Sequence, residues 1–458
     1  MNGGRRSSDI AIIGAGIIGL SVAYYLVRCH RLTGITLIDP RDPMSLTSAQ
    51  SGENYRNWWP HPVMTAFTDR SIDLMEEIAR QSDNRIAMTR RGYVLVTRRP
   101  SPSDLMEDLH RGYGDRASSF IRIHDQEAAQ GYRPARSADW QTAPDGVDVL
   151  CHPALIRQVF PYFAEDVATV LHVRRAGAIN GQQLGQFMLE SVRAAGGRLL
   201  RGEVVAVEST APFRLAVQTA QGSQTLEAGR VVNATGPFFG KVSAMLGESA
   251  PVHCVYQQKI AFEDREQVIP RDMPFAIDLD GQRLPWTAEE RLALAEDPDT
   301  AALLATMKGG IHCRPEGGDR GSWIKLGWAF NEQASDPQGN EPIDPQFPDL
   351  VLRAASRLHP GLRRYIGHLP RGARHYGGYY AMTPENLPLI GAMQTPGAFS
   401  AGALSGYGTM AACATGELAA SWIAGAERPA WAGSLSPERY RNKTLMAELT
   451  AAAAKGLL

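Results

Sequence analysis

Asp9-Ile10-Ala11-Ile12-Ile13-Gly14-Ala15-Gly16-Ile17-Ile18-Gly19-Leu20 runs from an apolar stretch through a glycine turn into a second apolar stretch. The spacing Gly14-x-Gly16-x-x-Gly19 after a strand-like segment predicts strand, tight turn and helix. Gly14 permits the turn, Gly16 lets the backbone approach a pyrophosphate, and Gly19 lets the helix pack closely on the strand. Ile18 begins the helix beside that phosphate position. A helix to about Arg28 and a strand over Ile35 to Asp39 complete a βαβ unit. Asp39 stands 20 residues after Gly19, at the end of the second strand, where a carboxylate can hydrogen-bond ribose hydroxyls. These features define a dinucleotide site without saying which dinucleotide.

Ile10 to Val27 is uncharged over 18 residues and follows Arg5 and Arg6, the outline of a signal peptide or membrane anchor. Glycines at dinucleotide spacing and Asp9 beside its start favour a buried strand and helix instead, since these too are apolar throughout. The 458 residues, 44% of them hydrophobic, are enough for two or three domains, or for one domain with a large insertion. Lys and Arg number 47 against 48 for Asp and Glu, so charge provides no reason to expect nucleic acid or an anionic membrane as partner. A small molecule is the default. The five cysteines, Cys29, Cys151, Cys254, Cys313 and Cys413, are odd in number and scattered, with no CxxC pair or metal-ligand spacing. Reduced thiols in a cytoplasm, with no metal, are the expectation.

Further along, Gln183 to Ala195 has helical spacing, and Gly196 and Gly197 end it. Leu199 to Glu208 reads as a strand, and another strand ends in Val231, Val232 and Asn233 before the turn Ala234-Thr235-Gly236. Pro384 to Gly425 repeats the theme: short strands, a glycine turn, then a helix from about Thr409 to Ala424. Between these lie runs such as Gly92 to Thr97 and Ser322 to Trp328. The division this predicts is a doubly wound α/β, Rossmann-like portion at 1–85, 151–249 and 351–458. An inserted mixed β-sheet portion occupies 86–150 and 250–350. Thr287 to Met307, charged and alanine-rich, reads as a surface helix, with a lid or subunit contact as the alternative.

Taken together these segments resemble the D-amino-acid oxidase, glycine oxidase and sarcosine oxidase family of flavoproteins. Thr47-Ser48-Ala49-Gln50-Ser51 is similar to the family's phosphate- and ribityl-binding loop. Val204-x-x-Val207 is similar to its strand beside the adenine, and Asn233-Ala234-Thr235-Gly236 to its second dinucleotide turn. Met382-Thr383-Pro384-Glu385-Asn386 with Pro388-Leu389-Ile390-Gly391 resembles its "TPD..P.IG" segment. Ser405-Gly406-Tyr407-Gly408-Thr409-Met410 resembles the "SGHG" turn that sets backbone N–H groups against the flavin pyrimidine. The match runs nearly the full length in the family's order. It implies FAD, with Gly14, Gly16, Ile18, Gly19, Asp39, Thr47, Ser48, Val204, Ala234, Gly236, Ser405, Gly406, Gly408, Thr409 and Met410 at the cofactor. A reduced flavin gains negative charge near N1 and O2, and a glycine turn entering a helix supplies N–H groups and a positive dipole end there. The alternative for the same turn is a structural loop capping a C-terminal helix.

The resemblance also implies chemistry: an amine bound as free base, hydride transfer from its carbon to flavin N5, and an imine that hydrolyses in water. Lys325, in Trp323-Ile324-Lys325-Leu326-Gly327-Trp328, resembles the sarcosine oxidase lysine that promotes reaction with oxygen to give hydrogen peroxide, a cation stabilising superoxide. From alternation alone it reads as a solvent-facing strand lysine. Two departures are visible. Gly378 stands where sarcosine oxidases attach FAD through cysteine, so FAD is expected to be non-covalent. Tyr380 stands where glycine and D-amino-acid oxidases pair the substrate carboxylate with arginine, so that either another group, with Arg56 and Arg374 as candidates, takes a substrate carboxylate or the substrate lacks one. Arg56, in Glu53-Asn54-Tyr55-Arg56-Asn57-Trp58-Trp59, reads either as a flavin-side group or as a structural ion pair. Trp58, Trp59, Trp328, Tyr379 and Tyr380 are candidates for an aromatic wall, and His253, His359 and His375 read as ordinary histidines. The expectation is an amine or amino-acid oxidase. The alternatives are a dehydrogenase of the same family that passes electrons to a quinone or partner protein, and a non-catalytic FAD-binding subunit.

Overall fold

In the computed structural model, which describes residues 6–127, 131–136, 140–208 and 212–453, the opening segment forms the strand Arg6–Ile13 and the helix Ile17–His30. The strand lies inside an eight-stranded sheet, parallel to Gly222–Asn233 on one side and to Ile35–Asp39 on the other. A central parallel strand is covered on both faces. Hence Ile10, Ala11, Ile12 and Ile13 are apolar without alternation, and all four are buried. Arg198–Arg201 adds a parallel edge beside Ile35–Asp39. Beyond Gly222–Asn233 the sheet continues as an antiparallel ribbon, Phe213–Thr219 and Glu203–Glu208. Ala398–Gly402 also pairs in parallel with Gly222–Asn233, and Leu389–Ala392 pairs with it in turn.

Leu199 to Glu208, which reads as one strand, is therefore two. Gly202 separates them: its amide donates to the Asp39 carbonyl at 3.0 Å, and a Cβ there would stand 2.6 Å from Val217 Cγ1. The chain changes partner at this residue, which local alternation does not reveal.

The helix Gly408–Ala424 crosses Ile17–His30 closely enough that a Cβ on Gly416 would lie 2.2 Å from Ser21 Oγ. Ser21 Oγ donates to the Ala412 carbonyl at 2.7 Å, and Ser71, from the helix Pro62–Gln81, donates to the Met410 carbonyl at 2.7 Å. Small residues at the crossing thus bring the two helix N-termini to one cleft.

A nine-stranded, mostly antiparallel sheet stands over this assembly, in the order Arg374–Met382, His253–Glu263, Trp323–Trp328, Ile311–Glu316, Phe275–Asp278, Tyr93–Thr97, Thr169–Val173, Val147–Leu150, Ile121–His124. Its far side packs Ile260, Phe262, Ile324 and Leu326 in one core with the helix Phe347–Leu358. Two of its strands, Thr169–Val173 and Arg374–Met382, fall in stretches that the sequence division gave to the dinucleotide portion, and Phe347–Leu358 packs on this sheet as well. Hydrogen-bonded partners more than seventy residues away for the first strand and more than a hundred for the second set that membership, not local composition.

Thr287 to Met307 is not one helix. Ala288–Glu296 opens with a capping box from Thr287 and Glu290, has no buried residue, and gives way at Asp297 to a short turn of helix, Pro298–Ala301. It is tied down by Arg353, whose guanidinium binds Glu290 and stacks 4.2 Å over the Trp286 ring. Among the described residues no helix is long and apolar enough to cross a membrane, and all five thiols are free.

Candidate active site

The cleft between the two helix N-termini encloses about 630 Å³. Its walls include Gly14, Gly16, Ile18, Asp39, Thr47, Ser48, Val204, Ala234, Gly236, Ser405, Gly406, Gly408 and Thr409. Segments separated by up to about 390 residues of sequence thus converge on one groove. Gly14 has φ +107°, and a Cβ on it would stand 2.3 Å from the Ala234 carbonyl oxygen, so only glycine lets the two turns meet. Gly19 does not line the cleft. A Cβ there would be 2.0 Å from the Gly14 carbonyl, so its part is the packing of helix on turn. Met410 is likewise absent from this cleft and faces the second cavity described below.

The polar groups of the cleft are arranged for a ligand. Asp39 accepts from the Ala15 and Arg41 amides, both at 2.9 Å, which fixes its carboxylate at the strand end. Ser48 Oγ accepts from Ile17 N at 3.0 Å at the start of the first helix. Thr47 Oγ1 is buried without a partner. Neither helix has an acidic residue in its first turn or a cap from the side chain of its own N-cap residue, and Ser48 takes only the Ile17 amide, so the amides that follow leave both N-termini open to an anion. At the far end Ser405 takes φ +44°, its amide donates to Ala381 O at 2.9 Å, and its hydroxyl bonds Asn386 Oδ1. Thr409 Oγ1 donates to Ser51 Oγ at 2.9 Å, joining the turn to the 47–51 loop. Gly378 faces the same loop, 3.3 Å from Gln50 Cβ if it carried a Cβ.

A second cavity, about 510 Å³, lies between this end of the cleft and the nine-stranded sheet. The residues common to both are Ser51, Gly52, Lys259, Tyr380, Gly406 and Thr409. Strand register explains the covering face. Val255, Gln257 and Lys259 alternate toward it, Tyr380 lies opposite Val255, and Gly327 and His312 follow across the next two strands. The Tyr380 ring lies against the turn: a Cβ on Gly406 would be 2.5 Å from its Cε2. Arg56 is buried with its guanidinium 4.5 Å over the Trp59 ring and 5.1 Å over that of Tyr93. Burial acts to lower the pKa of Arg56, yet guanidinium remains charged at any ordinary pH.

Of the proposed aromatic wall, Trp59 and Tyr380 line the second cavity, and Tyr379 lines the cleft. Trp58 and Trp328 belong to hydrophobic cores. Arg374 is exposed and lines neither cavity. Lys325 also lines neither. Its Nζ lies 3.2 Å from Glu316 Oε2 and 3.4 Å from the Ser51 carbonyl, and burial together with Arg314 pushes its pKa down to about 8.

Sequence reading missed Lys259 and His312. Lys259 is 5% exposed, its Nζ stands 3.3 Å from the Gln50 carbonyl and 5.8 Å from the Tyr380 ring centre, and burial pushes its pKa down to about 8. His312 Nδ1 lies 3.2 Å from Gly310 O, and burial and the nearby Lys259 charge push its pKa down to about 3, so it stays neutral. One signal for Lys259 was present: it is the single charge in the run Cys254 to Phe262.

A family profile described as DAO, FAD dependent oxidoreductase, matches residues 9–422. The chain belongs to the DAO family. FAD is its cofactor, and the open helix ends, the glycine approach at Gly14 and the orphaned Thr47 hydroxyl fit a dinucleotide there. Human mitochondrial dimethylglycine dehydrogenase is 21% identical over 443 residues, covering 95% of this chain and 45% of that protein. The chain thus spans less than half the length of the curated relatives it matches. Among solved DAO-like structures, L-proline dehydrogenase from P. horikoshii superposes with a TM-score of 0.71 at 18% identity, over 96% of this chain and 99% of that one. Glycine oxidase from Geobacillus kaustophilus gives 0.69 at 16%, over 94% and 98%. These two share the fold.

Proposed function

We propose that the protein oxidises the C–N bond of a small amine or amino acid and passes the electrons to oxygen, yielding an imine and hydrogen peroxide. The observation that carries this reading is the meeting of the two cavities at Ser51, Gly52, Lys259, Tyr380, Gly406 and Thr409. Bound FAD supplies a hydride acceptor at N5. Gly14, Gly16, Ile18, Thr47, Ser48, Ala234 and Gly236, which line the cleft, would hold the diphosphate, with Asp39 toward the adenosine ribose and Val204 toward the adenine. Amides of Gly406, Gly408 and Thr409, which line this end of the cleft, would face the pyrimidine, where charge develops on reduction. Gly378 offers no thiol, which supports a cofactor not attached through a cysteine at this position. Tyr380 and Arg56 orient the substrate beneath the sheet, which excludes water from the reacting carbon.

Lys325 is assigned to the reaction with oxygen. A second reading, a dehydrogenase delivering electrons to a quinone or protein, is favoured by one observation: Glu316 lies 3.2 Å from the Lys325 ammonium and compensates its charge. The experiment is anaerobic reduction of the purified flavoprotein by primary, secondary and N-methyl amines, followed by mixing with aerated buffer. Bleaching by an amine and rapid reoxidation with peroxide formation are expected. Bleaching with slow reoxidation would replace the oxidase by the dehydrogenase, and absence of bleaching by any amine would remove both.

A further inference from the structure

Lys259 is a buried cation without an anion. Among the described residues no carboxylate lies within 4.0 Å of its ammonium, whose one hydrogen-bond partner is the Gln50 carbonyl at 3.3 Å. The nearest charged or titratable groups on its face are Tyr376 opposite it and Arg374 further along one neighbouring strand, Lys325 on the other, and His312, Arg314 and Glu316 beyond, Glu316 being already paired with Arg314 at 2.7 Å and Lys325 at 3.2 Å. None is an acid free to neutralise it. The two acidic residues of the second cavity are engaged elsewhere. Glu53 accepts from the Gly181 amide at 2.8 Å and faces Arg314 at 3.7 Å, while Glu332 pairs with Lys308 at 2.9 Å near the surface. His312 is held neutral by burial and by Lys259 itself. The facing Gly327 leaves room chiefly for His312 and in part for this lysine: a Cβ there would stand 2.3 Å from His312 Nε2 and 3.1 Å from Lys259 Cγ.

A desolvated, unpaired ammonium is costly to fold around, and a ligand anion removes the cost. The ammonium lines the cavity junction, on the sheet side, with Arg56 lining the same second cavity. We infer that Lys259 is the carboxylate anchor of the substrate, so that the protein acts on amines bearing a carboxylate. This rests on the C–N oxidation reading, and Lys259 takes the part that an arginine at the Tyr380 position would otherwise play. Gln257, beside it on the strand, donates through Nε2 to Asn331 O at 2.7 Å, and its Oε1 has no partner, leaving an acceptor for the substrate N–H.

Binding is tested without turnover. FAD-loaded protein is titrated by calorimetry with acetate, propionate and benzoate, each against its neutral amide, and flavin absorbance reports whether the ligand sits beside the ring. At least one carboxylate should bind about tenfold or more tightly than its amide and perturb the flavin spectrum. Lys259→Met should weaken that carboxylate by about tenfold or more while leaving the amide unchanged, and Lys259→Arg should restore part of it. In the wild type, carboxylate affinity should fall as pH rises through about 8, where Lys259 loses its proton. This second measurement stands even if a variant fails to load FAD. A flat pH profile, equal carboxylate affinity in Lys259→Met, or no carboxylate binding at all would each overturn the assignment. Carboxylate binding without bleaching by any amine would instead remove the C–N oxidation reading and leave the anchor.

Discussion

Two lysines two residues apart in register mark how differently neighbouring side chains are used. Lys259 and Lys325 lie on one face of the sheet, and each points its ammonium at a consecutive carbonyl of one loop, Gln50 and Ser51. Glu316 answers one charge, and among the described residues no carboxylate answers the other. If Lys325 serves oxygen, Lys325→Met should slow reoxidation of the reduced flavin by far more than it slows reduction, as stopped-flow absorbance would show; equal slowing of both steps, or of neither, counts against that role. Gly14 allows a stricter test. A methyl there must displace the Ala234 carbonyl from 2.3 Å and hold φ near +107°, so Gly14→Ala should yield protein with little or no flavin absorbance. Full FAD loading by that variant would show that the turn yields.

The crossing of Ile17–His30 with Gly408–Ala424 aims two helix ends at one ligand, and it depends on Gly416 and Ser21. Gly416→Val places its Cβ 2.2 Å from Ser21 Oγ and must push the helices apart, a loss of about 1–3 kcal/mol or more from overpacking. The expected result is a lower melting temperature together with faster FAD release, since both N-termini move. Ser21→Ala is the milder companion, losing one buried hydrogen bond worth about 1 kcal/mol. A drop in melting temperature for Gly416→Val with unchanged FAD release would mean that the crossing supports stability alone. The small residues here read in the sequence as an ordinary alanine-rich helix; nothing local announces which of them meets another helix.

The outer end of the nine-stranded sheet is held by charge. Asp148, buried, accepts from Arg122 at 2.7 Å, Arg174 at 2.6 Å and His124 at 2.9 Å, linking three strands through one carboxylate. Burial acts to raise its pKa, but hydrogen bonds from Arg122 and His124 and the charge of Arg174 prevail and bring it down to about 2. The folded value lies below the ordinary carboxylate value, so the stabilisation is complete above about pH 4 and is lost as pH falls through about 2. It amounts to about 2 kcal/mol. Asp148→Asn should therefore lower stability at neutral pH by at least that amount, and the gap from wild type in scanning calorimetry should close as pH drops from about 4 to about 2. A gap that stays constant with pH would place the effect in packing.

From the residues alone, the βαβ start, the returning turns at Asn233 to Gly236 and Ser405 to Met410, and the family they resemble were all legible. The reason is physical: a pyrophosphate site needs glycine where backbone meets backbone, and a doubly covered parallel strand needs an unbroken apolar run, so both requirements are written locally. The arrangement of the second sheet was not legible. Arg374–Met382 pairs with His253–Glu263 across more than a hundred residues, and whether Lys259 faces the cavity or the core depends on that register, since a shift of one residue reverses every side chain. Lys325 stood out by its resemblance, yet Glu316 beside it is known only from the strand pairing. The cofactor was thus determined by short-range pattern, and the side chains offered to the substrate were decided by long-range pairing, because desolvation and charge compensation act between groups that the chain itself keeps far apart.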